Sequence, residues 1–256
     1  MSYWTNKVVF LTGASSGIGK GLALAIGQKG AKLGLVARRA EALADVAKEL
    51  EAKGVKALAL PADVQDATAL SAAADRLRSE FGPIDVLIAN AGVGTTSPST
   101  SLQPEQVAKV ININLLGAAN SVAAVVPEMV RRGSGHLVAI SSLAAYRGLP
   151  KSAAYCASKA GLSAFFESVR LDLKDTGVGV TIIHSGFIKT PLTAGRKATL
   201  PFLMELDYGV KKIVSAIEKG KKSYAFPWQL ATVVRAGMIM PNFMYDRIAS
   251  KNSFRE

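Results

Sequence analysis

Cysteine is almost absent from this chain of 256 residues, and Cys156 is the only one. A lone cysteine cannot form an intrachain disulfide, so the fold needs no oxidising compartment. Runs of about 18 consecutive apolar residues, which a membrane-spanning helix requires, are also absent. Residues 1–10 carry one lysine and no long apolar run, so we expect no secretory signal. These absences favour a cytoplasmic protein.

Acidic residues are scarce beside basic ones, 19 against 31, which gives a net charge of +12. The excess is uneven, since residues 189–256 carry 12 basic and 5 acidic side chains. Such a balance can serve an anionic ligand, an acidic membrane surface, nucleic acid, or solubility alone. The chain has no CxxC pair, no aromatic–glycine RNA-binding motif and no long basic run. We therefore expect no nucleic-acid partner.

Short apolar runs alternate with segments of helical length. The strand-like runs lie at 7–12, 31–37, 55–60, 84–89, 136–141, 178–184 and 223–226. Continuous apolar strands indicate burial on both faces, and repeated strand–helix alternation indicates parallel strands joined by right-handed crossovers. We therefore predict an α/β fold, a single doubly wound Rossmann-type domain with a mostly parallel seven-stranded sheet flanked by helices.

A catalytic, dinucleotide-binding domain is expected at 1–227, and an apolar, basic C-terminal extension at 228–256. Within the extension, Trp228–Met240 is apolar almost all round but too short to span a bilayer. Such a helix must be covered, either by its own domain or a partner subunit, or by a membrane interface. Both alternatives stay open. The basic residues that would meet anionic headgroups are Arg235, Arg247, Lys251 and Arg255.

A glycine-rich segment follows the first predicted strand and begins the first helix. Its glycines allow a tight turn and a close backbone approach, and the helix N-terminus offers free N–H groups to a pyrophosphate. An ordinary glycine-rich turn is the alternative, but the position at the first strand–helix junction favours nucleotide binding. The residues expected to bind the cofactor here are Gly13, Ser15, Ser16, Gly17, Ile18 and Gly19.

Tyr155 and Lys159 are four residues apart in a predicted helix at 152–175, so their side chains share one face. Reduction of a carbonyl needs a proton donor, and a free tyrosine, with a pKa of about 10, is a poor one near neutrality. A cation about 5 Å away stabilises the phenolate by roughly 3 kcal/mol at an effective dielectric of about 20. Lys159 could thus supply much of the required pKa shift.

Together these motifs resemble those of the short-chain dehydrogenase/reductase family, over about Lys7 to Phe226. The motifs that carry the resemblance are the GxxxGxG spacing, Asn90-Ala91-Gly92, Asn114, Ser142 and Tyr155-Cys156-Ala157-Ser158-Lys159. The resemblance implies an oxidoreductase that interconverts a carbonyl and a secondary alcohol. It makes Tyr155 the general acid/base, Ser142 the group that polarises the carbonyl oxygen, Lys159 a ribose contact as well, and Asn114 the holder of a relay water.

Arg38 and Arg39 follow the second predicted strand, where an NAD site commonly has an acidic residue. A guanidinium there suits the 2′-phosphate of NADP, so we expect NADP(H) as the cofactor. Solvated residues at a helix start are the alternative. Asp63 and Val64 resemble the family pair that contacts adenine, with a helix N-cap as the alternative for Asp63. The resemblance also assigns cofactor contacts to Asn90, Ala91, Gly92, Gly186, Ile188 and Thr190.

The loops at 95–102, 143–149 and 190–206 should surround the substrate. They offer the apolar side chains Leu143, Leu149, Leu192, Leu200, Phe202 and Leu203, and the charged ones Arg147, Lys151, Arg196 and Lys197. An apolar substrate fits, either a long-chain or steroid-like carbonyl compound or a β-ketoacyl thioester. A catalytically idle NADP-binding regulator on the same fold is the alternative function. No metal-ligand cluster appears, and the resemblance implies a homodimer or homotetramer formed through the helices at 104–132 and 152–175.

Overall fold

The computed structural model describes residues 2–194 and 199–250. Within them lie seven strands: β1 (Val8–Thr12), β2 (Lys32–Ala37), β3 (Ala57–Pro61), β4 (Val86–Ala89), β5 (Gly135–Ser142), β6 (Val178–Ser185) and β7 (Ser223–Phe226). The strands form one sheet in the order β3-β2-β1-β4-β5-β6-β7, and every neighbouring pair is parallel. The predicted seven-stranded, doubly wound fold is confirmed.

Helices lie on both faces of this sheet. The α-helices of the described residues are α1 (Gly17–Gly27), α2 (Ala40–Glu51), α3 (Ala67–Phe81), α4 (Pro104–Ile111), α5 (Gly117–Arg132), α6 (Ala153–Asp172), α7 (Leu206–Glu218), α8 (Trp228–Ile239) and α9 (Asn242–Ala249), of which α9 has no buried residue. All five residues of β1 are buried, and successive side chains point to opposite faces. Val9 packs in a core with Leu22 of α1, and Phe10 in a second core with Phe166 of α6. Burial on both faces explains why the strands are apolar throughout rather than alternating.

A crevice opens where β1 lies between β2 and β4, because the chain winds away from this point in both directions. Asn90, directly after β4, links the two central strand ends. Its Nδ2 donates to the carbonyl oxygens of Thr12 at 3.0 Å and Gly13 at 3.2 Å. The Thr12 hydroxyl accepts in return from the backbone N–H of Ala91 at 3.1 Å. These bonds hold the glycine loop beside the end of β4.

The long helix predicted at 104–132 is present but interrupted. A π-helical turn at Asn112–Leu116 separates α4 from α5. By length and composition this helix could cross a membrane, yet 44% of its most apolar window is buried in the fold. Val122 and Val125 of α5 are among the side chains that pack in the core below the sheet. The helix is therefore a core element, and the π turn is a local irregularity of the kind often found at functional sites.

Some predicted boundaries and roles need correction. The helix predicted at 152–175 ends at Asp172, and the strand predicted at 55–60 runs from Ala57 to Pro61. Asp63 is not the N-cap of α3, because Asp66 takes that position and accepts a hydrogen bond from the backbone N–H of Ala69 at 2.9 Å. The predicted residues Arg196, Lys197, Lys251 and Arg255 lie outside the described residues.

Candidate active site

The glycine loop forms a close-fitting cradle at the start of α1. Gly13 has a positive φ of +68°, and a Cβ there would lie 2.8 Å from the Cα of Ala91. A Cβ on Gly19 would lie 2.1 Å from the carbonyl oxygen of Gly13. Only glycine fits at these two positions. The side chain of Ser16, the N-cap residue, makes no capping hydrogen bond, and the first turn of α1 has no acidic residue. The helix N-terminus therefore suits an anionic group.

Two arginines lie beside this cradle. Nη2 of Arg39 donates to Oγ of Ser15 at 3.1 Å and to Oγ of Ser16 at 3.2 Å. Nη1 of Arg38 lies 3.7 Å from a carboxylate oxygen of Asp63. Both guanidinium groups are thus held at the rim of the crevice, one over the glycine loop and the other beside the residue that follows β3.

A cleft of about 480 Å³ brings most of the predicted site residues together. Those that line it are Gly13, Ser15, Ser16, Gly17, Ile18, Arg38, Arg39, Asp63, Val64, Asn90, Ala91, Gly92, Tyr155, Lys159 and Thr190. Its walls thus include the glycine loop, the two arginines and the Tyr155–Lys159 pair. One continuous cleft of this kind can hold an extended ligand with an anionic centre.

Five predicted residues do not line this cleft in the part of the chain that is described: Gly19, Asn114, Ser142, Gly186 and Ile188. Gly19 packs beneath the glycine loop against Gly13, and the side chain of Ile188 is buried in the core against Gly209. A Cβ on Gly186 would lie 2.8 Å from Cδ of Pro227, so this glycine serves a close approach between β6 and the start of α8. These residues shape the backbone around the cleft.

Lys159 is buried beside Tyr155. Its Nζ lies 5.8 Å from the centroid of the Tyr155 ring and donates to the carbonyl oxygen of Ile140 at 2.8 Å. Because burial removes the ammonium from water, the pKa of Lys159 is lowered to about 8. The group still carries a charge at neutral pH, and the low-dielectric surroundings strengthen its effect on neighbouring groups.

Ser141 and Ser142 end β5 and have different partners. Oγ of Ser141 lies 2.8 Å from Oγ of Ser163 and donates to the carbonyl oxygen of Lys159 at 3.2 Å, so this hydroxyl faces α6. Oγ of Ser142 accepts from the backbone N–H of Ala144 at 3.1 Å. That bond occupies a lone pair of the Ser142 hydroxyl and leaves its proton available for donation.

Asn114 lies in the π turn and is fully buried. Its Oδ1 accepts from the backbone N–H of Val93 at 2.8 Å, while its Nδ2 donates to the carbonyl oxygen of Val93 and to Oγ of Ser158, both at 2.9 Å. Oγ of Ser158 in turn donates to the carbonyl oxygen of Tyr155 at 2.8 Å. Sequence reasoning missed Ser158, although it directly precedes Lys159 in the motif. The side chain of Asn114 thus connects the loop after β4 to the helix that carries Tyr155.

Apolar groups lie around the Tyr155 ring. A Cβ on Gly94 would lie 3.3 Å from Cδ1 of Leu192 and 3.6 Å from Cδ2 of Tyr155. Leu149 packs against the small cluster that contains Tyr155, and Leu192 lines the same cleft as Tyr155. Leu192, Phe202 and Leu203 are partly exposed. Two leucine side chains therefore lie near Tyr155.

Arg147, predicted as a charge near the substrate, is instead bound to the C-terminal helices. Its Nη1 donates to the carbonyl oxygens of Gly237 and Met240, and its Nη2 donates to Oδ1 of Asn242 at 2.8 Å. Its guanidinium also lies 3.8 Å from the centroid of the Tyr245 ring. A cation is favourable at this position because unpaired carbonyls give the end of a helix a partial negative charge. The partners of Arg147 lie 90 or more positions further along the sequence. The spacing of residues in the sequence therefore could not predict these contacts.

The family model of the short chain dehydrogenases matches residues 7–201. The chain belongs to the short-chain dehydrogenase/reductase family. It is accordingly an oxidoreductase of a family that binds nicotinamide cofactors, generally acts on small molecules and often forms oligomers.

Related proteins agree with this assignment. An uncharacterized oxidoreductase of Myxococcus xanthus is 43% identical over 98% of both chains. The ketoacyl reductase HetN of a Nostoc species is 34% identical and covers 87% of this chain and 78% of its own length. The crystal structure of a metagenomic short-chain oxidoreductase in complex with NADP has a TM-score of 0.74 and 29% identity, covering 88% of this chain and 98% of that one. The similarity to each of these three proteins extends over most of the chain.

Raising the pH should stabilise the cofactor-free protein through Lys159. Its pKa is about 8 when folded against 10.5 in the unfolded chain, so the unfolded state binds more protons between these values. Across this interval the unfolding free energy of the wild type should rise relative to Lys159→Met by up to about 3 kcal/mol. Denaturant titrations at several pH values measure the difference.

The matched control is Lys211→Met, which removes an exposed lysine of α7. The unfolding free energy of the wild type should not rise with pH relative to that of Lys211→Met. Unfolding free energies of the wild type and Lys159→Met that change in parallel with pH would contradict the burial of a charged ammonium.

Proposed function

We propose that the chain is an NADP(H)-dependent oxidoreductase that interconverts a carbonyl and a secondary alcohol, with Tyr155 as general acid/base. The observation that carries this proposal is the content of one cleft. Arg39 is hydrogen-bonded to the serines of the glycine loop, and Tyr155 lies beside the buried ammonium of Lys159. Reduction of a carbonyl by NADPH needs a group that binds the phosphates of the cofactor and a group that donates a proton to the carbonyl oxygen. This cleft contains side chains suited to both.

The residues present fit the cofactor. At Gly13 and Gly19 a Cβ would collide with backbone, so glycine there allows the pyrophosphate to approach the N-terminus of α1. Arg38, Arg39 and Ser15 would hold the 2′-phosphate, and Asp63 and Val64 would contact adenine. The remaining contacts would come from Ser16, Gly17, Ile18, Asn90, Ala91, Gly92, Lys159, Gly186, Ile188 and Thr190. The bound cofactor supplies or accepts a hydride. The metagenomic relative in complex with NADP supports this choice.

Tyr155 would donate a proton to the carbonyl oxygen in reduction and remove it in oxidation. A charge at about the distance of Lys159 stabilises a phenolate by about 3 kcal/mol at an effective dielectric of about 20. The Ser142 hydroxyl would donate a hydrogen bond to the same carbonyl oxygen, since its contact with Ala144 leaves its proton free. Asn114 would hold a water that links Lys159 to solvent.

The proposed substrate is an apolar carbonyl compound, either a long-chain or steroid-like ketone or a β-ketoacyl thioester. The leucines around Tyr155 support an apolar substrate. The involvement of Arg147 in contacts with α8 and α9 supports it further, because this guanidinium is already satisfied. The name of the Nostoc relative, a ketoacyl reductase, supports the thioester as one member of the class.

We expect a cytoplasmic homodimer or homotetramer that pairs α4–α5 and α6 across two-fold axes. Leu116 and Val130 on the first of these helices are exposed apolar side chains, which supports a covering partner. Sedimentation at micromolar concentration should give a dimer or tetramer, and a monomer would contradict this assembly.

Removing the Tyr155 hydroxyl should abolish most turnover. Tyr155→Phe is expected to lower kcat at least about 100-fold, because a general acid contributes that much or more. NADPH affinity should change little, since the ring and Lys159 remain. Steady-state kinetics with a panel of apolar ketones and calorimetric NADPH binding give the two values. Tyr146→Phe is the matched control, because it retains the ring that stacks on His184. Near-normal kcat in Tyr155→Phe would refute the role of Tyr155.

Cofactor preference should depend on the two arginines. Arg38→Ala and Arg39→Ala should each weaken NADPH binding by about 1.5–3 kcal/mol, the range for a charge-assisted hydrogen bond. NADH binding should change far less, because NADH lacks the 2′-phosphate. Calorimetry with both cofactors tests this, with the exposed Arg76→Ala of α3 as control. Equal affinity of the wild type for NADPH and NADH would contradict the proposal.

A further inference from the structure

The two last helices, α8 (Trp228–Ile239) and α9 (Asn242–Ala249), form what we call the C-terminal helix pair. Its inner side is fastened to the loop at 143–149. Arg147 bonds the carbonyl oxygen of Met240 at 2.9 Å, and the hydroxyl of Tyr245 donates to the carbonyl oxygen of Gly148 at 2.5 Å. Because the inner side is fixed, the outer side of the pair has a defined orientation on the molecule.

That outer side is apolar and exposed. Of fifteen large exposed apolar side chains in the described residues, seven lie on the pair: Trp228, Val233, Met238, Ile239, Phe243, Met244 and Ile248. Ile239 is 88% exposed and Phe243 is 75% exposed, whereas Ala231 and Gly237 are the only buried residues of α8. Trp228 and Ile239 lie on one stripe of α8 at helical spacing, whereas Val233 and Met238 project from other sides of the helix. Such a concentration indicates an interaction surface.

We propose that this outer face of the C-terminal helix pair docks onto an anionic lipid surface. An interfacial helix inserts Trp, Phe and aliphatic side chains to the depth of the headgroups, and arginines at its margin meet lipid phosphates. The exposed residues are of these types. Arg247 is exposed on α9 next to Asp246, the single acidic residue of the pair, and Arg235 is exposed at the margin of the pair that adjoins Tyr146.

The positive charge of the chain favours an anionic lipid surface over a second copy of the chain as the partner of this face. A two-fold interface through this face would place two chains, each with a net charge of +12, against one another. Such like charges repel, whereas anionic headgroups attract them. The sequence continues after α9 with Lys251, Arg255 and Glu256, beyond the described residues, and these side chains add a net charge of 2 − 1 = +1 to the same end of the chain.

Docking would hold the loop at 143–149 close to the lipid. Arg235 of α8 lies over the Tyr146 ring at 5.7 Å, and that ring stacks on His184 at the end of β6. The helix pair therefore adjoins the segment that follows Ser142. The docking proposal does not depend on the proposed reaction, but an apolar substrate dissolved in the bilayer would have a short path to this loop.

Fluorescence can test insertion directly, because the chain has two tryptophans in opposite environments. Trp4 is fully buried and Trp228 is 72% exposed at the start of α8. When the full chain binds phosphatidylcholine–phosphatidylglycerol vesicles, Trp228 should enter the lipid. The tryptophan emission should then shift to the blue and be quenched by brominated lipid. Trp228→Phe should still bind the vesicles but should show no quenching, because Trp4 remains sheltered. Binding should weaken as salt is added and with phosphatidylcholine alone.

A second experiment separates lipid docking from self-association. Ile239→Ser with Phe243→Ser should lower the vesicle-bound fraction by about tenfold or more, since both side chains are in the exposed face. Tyr208→Ser, which removes an exposed aromatic side chain on α7, outside both the helix pair and the expected subunit interface, is the matched control and should bind as the wild type does. Circular dichroism and Trp4 emission check that each variant is folded.

Three results would overturn the proposal. The first is no binding of the wild type to anionic vesicles at low salt. The second is undiminished binding of a folded Ile239→Ser, Phe243→Ser variant. The third is a wild-type oligomer that dissociates in the double variant, seen by sedimentation, without vesicle binding; that result would assign the face to a second copy. Loss of turnover in Tyr155→Phe bears on the reaction alone and leaves docking unaffected.

Discussion

The arrangement of the site depends on the hydrogen bond that the buried ammonium of Lys159 makes with the backbone. An ammonium out of water is costly unless it is hydrogen-bonded, and the carbonyl oxygen of Ile140 provides that bond at 2.8 Å. The bond requires α6 and β5 to keep their relative positions. Ser141 helps to maintain them through Ser163 and the carbonyl oxygen of Lys159. The position of Tyr155 relative to a cation is thus set by the packing of a helix against a central strand.

The second requirement is that the glycine loop and the loop after β4 lie in close contact. Asn90 bonds the carbonyl oxygens of Thr12 and Gly13, and glycine at 13 and 19 permits the close contact. Asn114 joins the same loop to α6 through Val93 and Ser158. Both halves of the cleft are therefore positioned by hydrogen bonds between loops at the carboxyl edge of the sheet, where a doubly wound fold leaves its crevice.

The order of strands and helices could be predicted from sequence because burial on both faces makes each strand a short continuous apolar run. Tyr155 and Lys159 could be paired because a helix repeats on a known period. Contacts between distant segments could not be predicted in this way. Arg147 was expected as one of the few charges in the loops around the substrate, and its partners lie 90 or more residues away at the end of α8 and the start of α9. The side chain of Ile188 is in the core, so only the backbone of this residue can meet the nicotinamide, and the sequence pattern did not indicate where the side chain lies. The π turn at Asn112–Leu116 has no signal in the apolar pattern.

The proposed function combines a cofactor cleft, a proton donor and an apolar substrate region in one chain, and labelled cofactor tests that combination most directly. The wild-type protein would be incubated with NADPH that carries deuterium at both hydrogen positions of C4 of the nicotinamide, together with a panel of apolar ketones and β-ketoacyl thioesters. The account predicts an alcohol product that carries deuterium on its carbinol carbon. A folded protein that binds NADPH but yields no labelled alcohol from any member of the panel would contradict it and would favour a catalytically idle NADP-binding regulator.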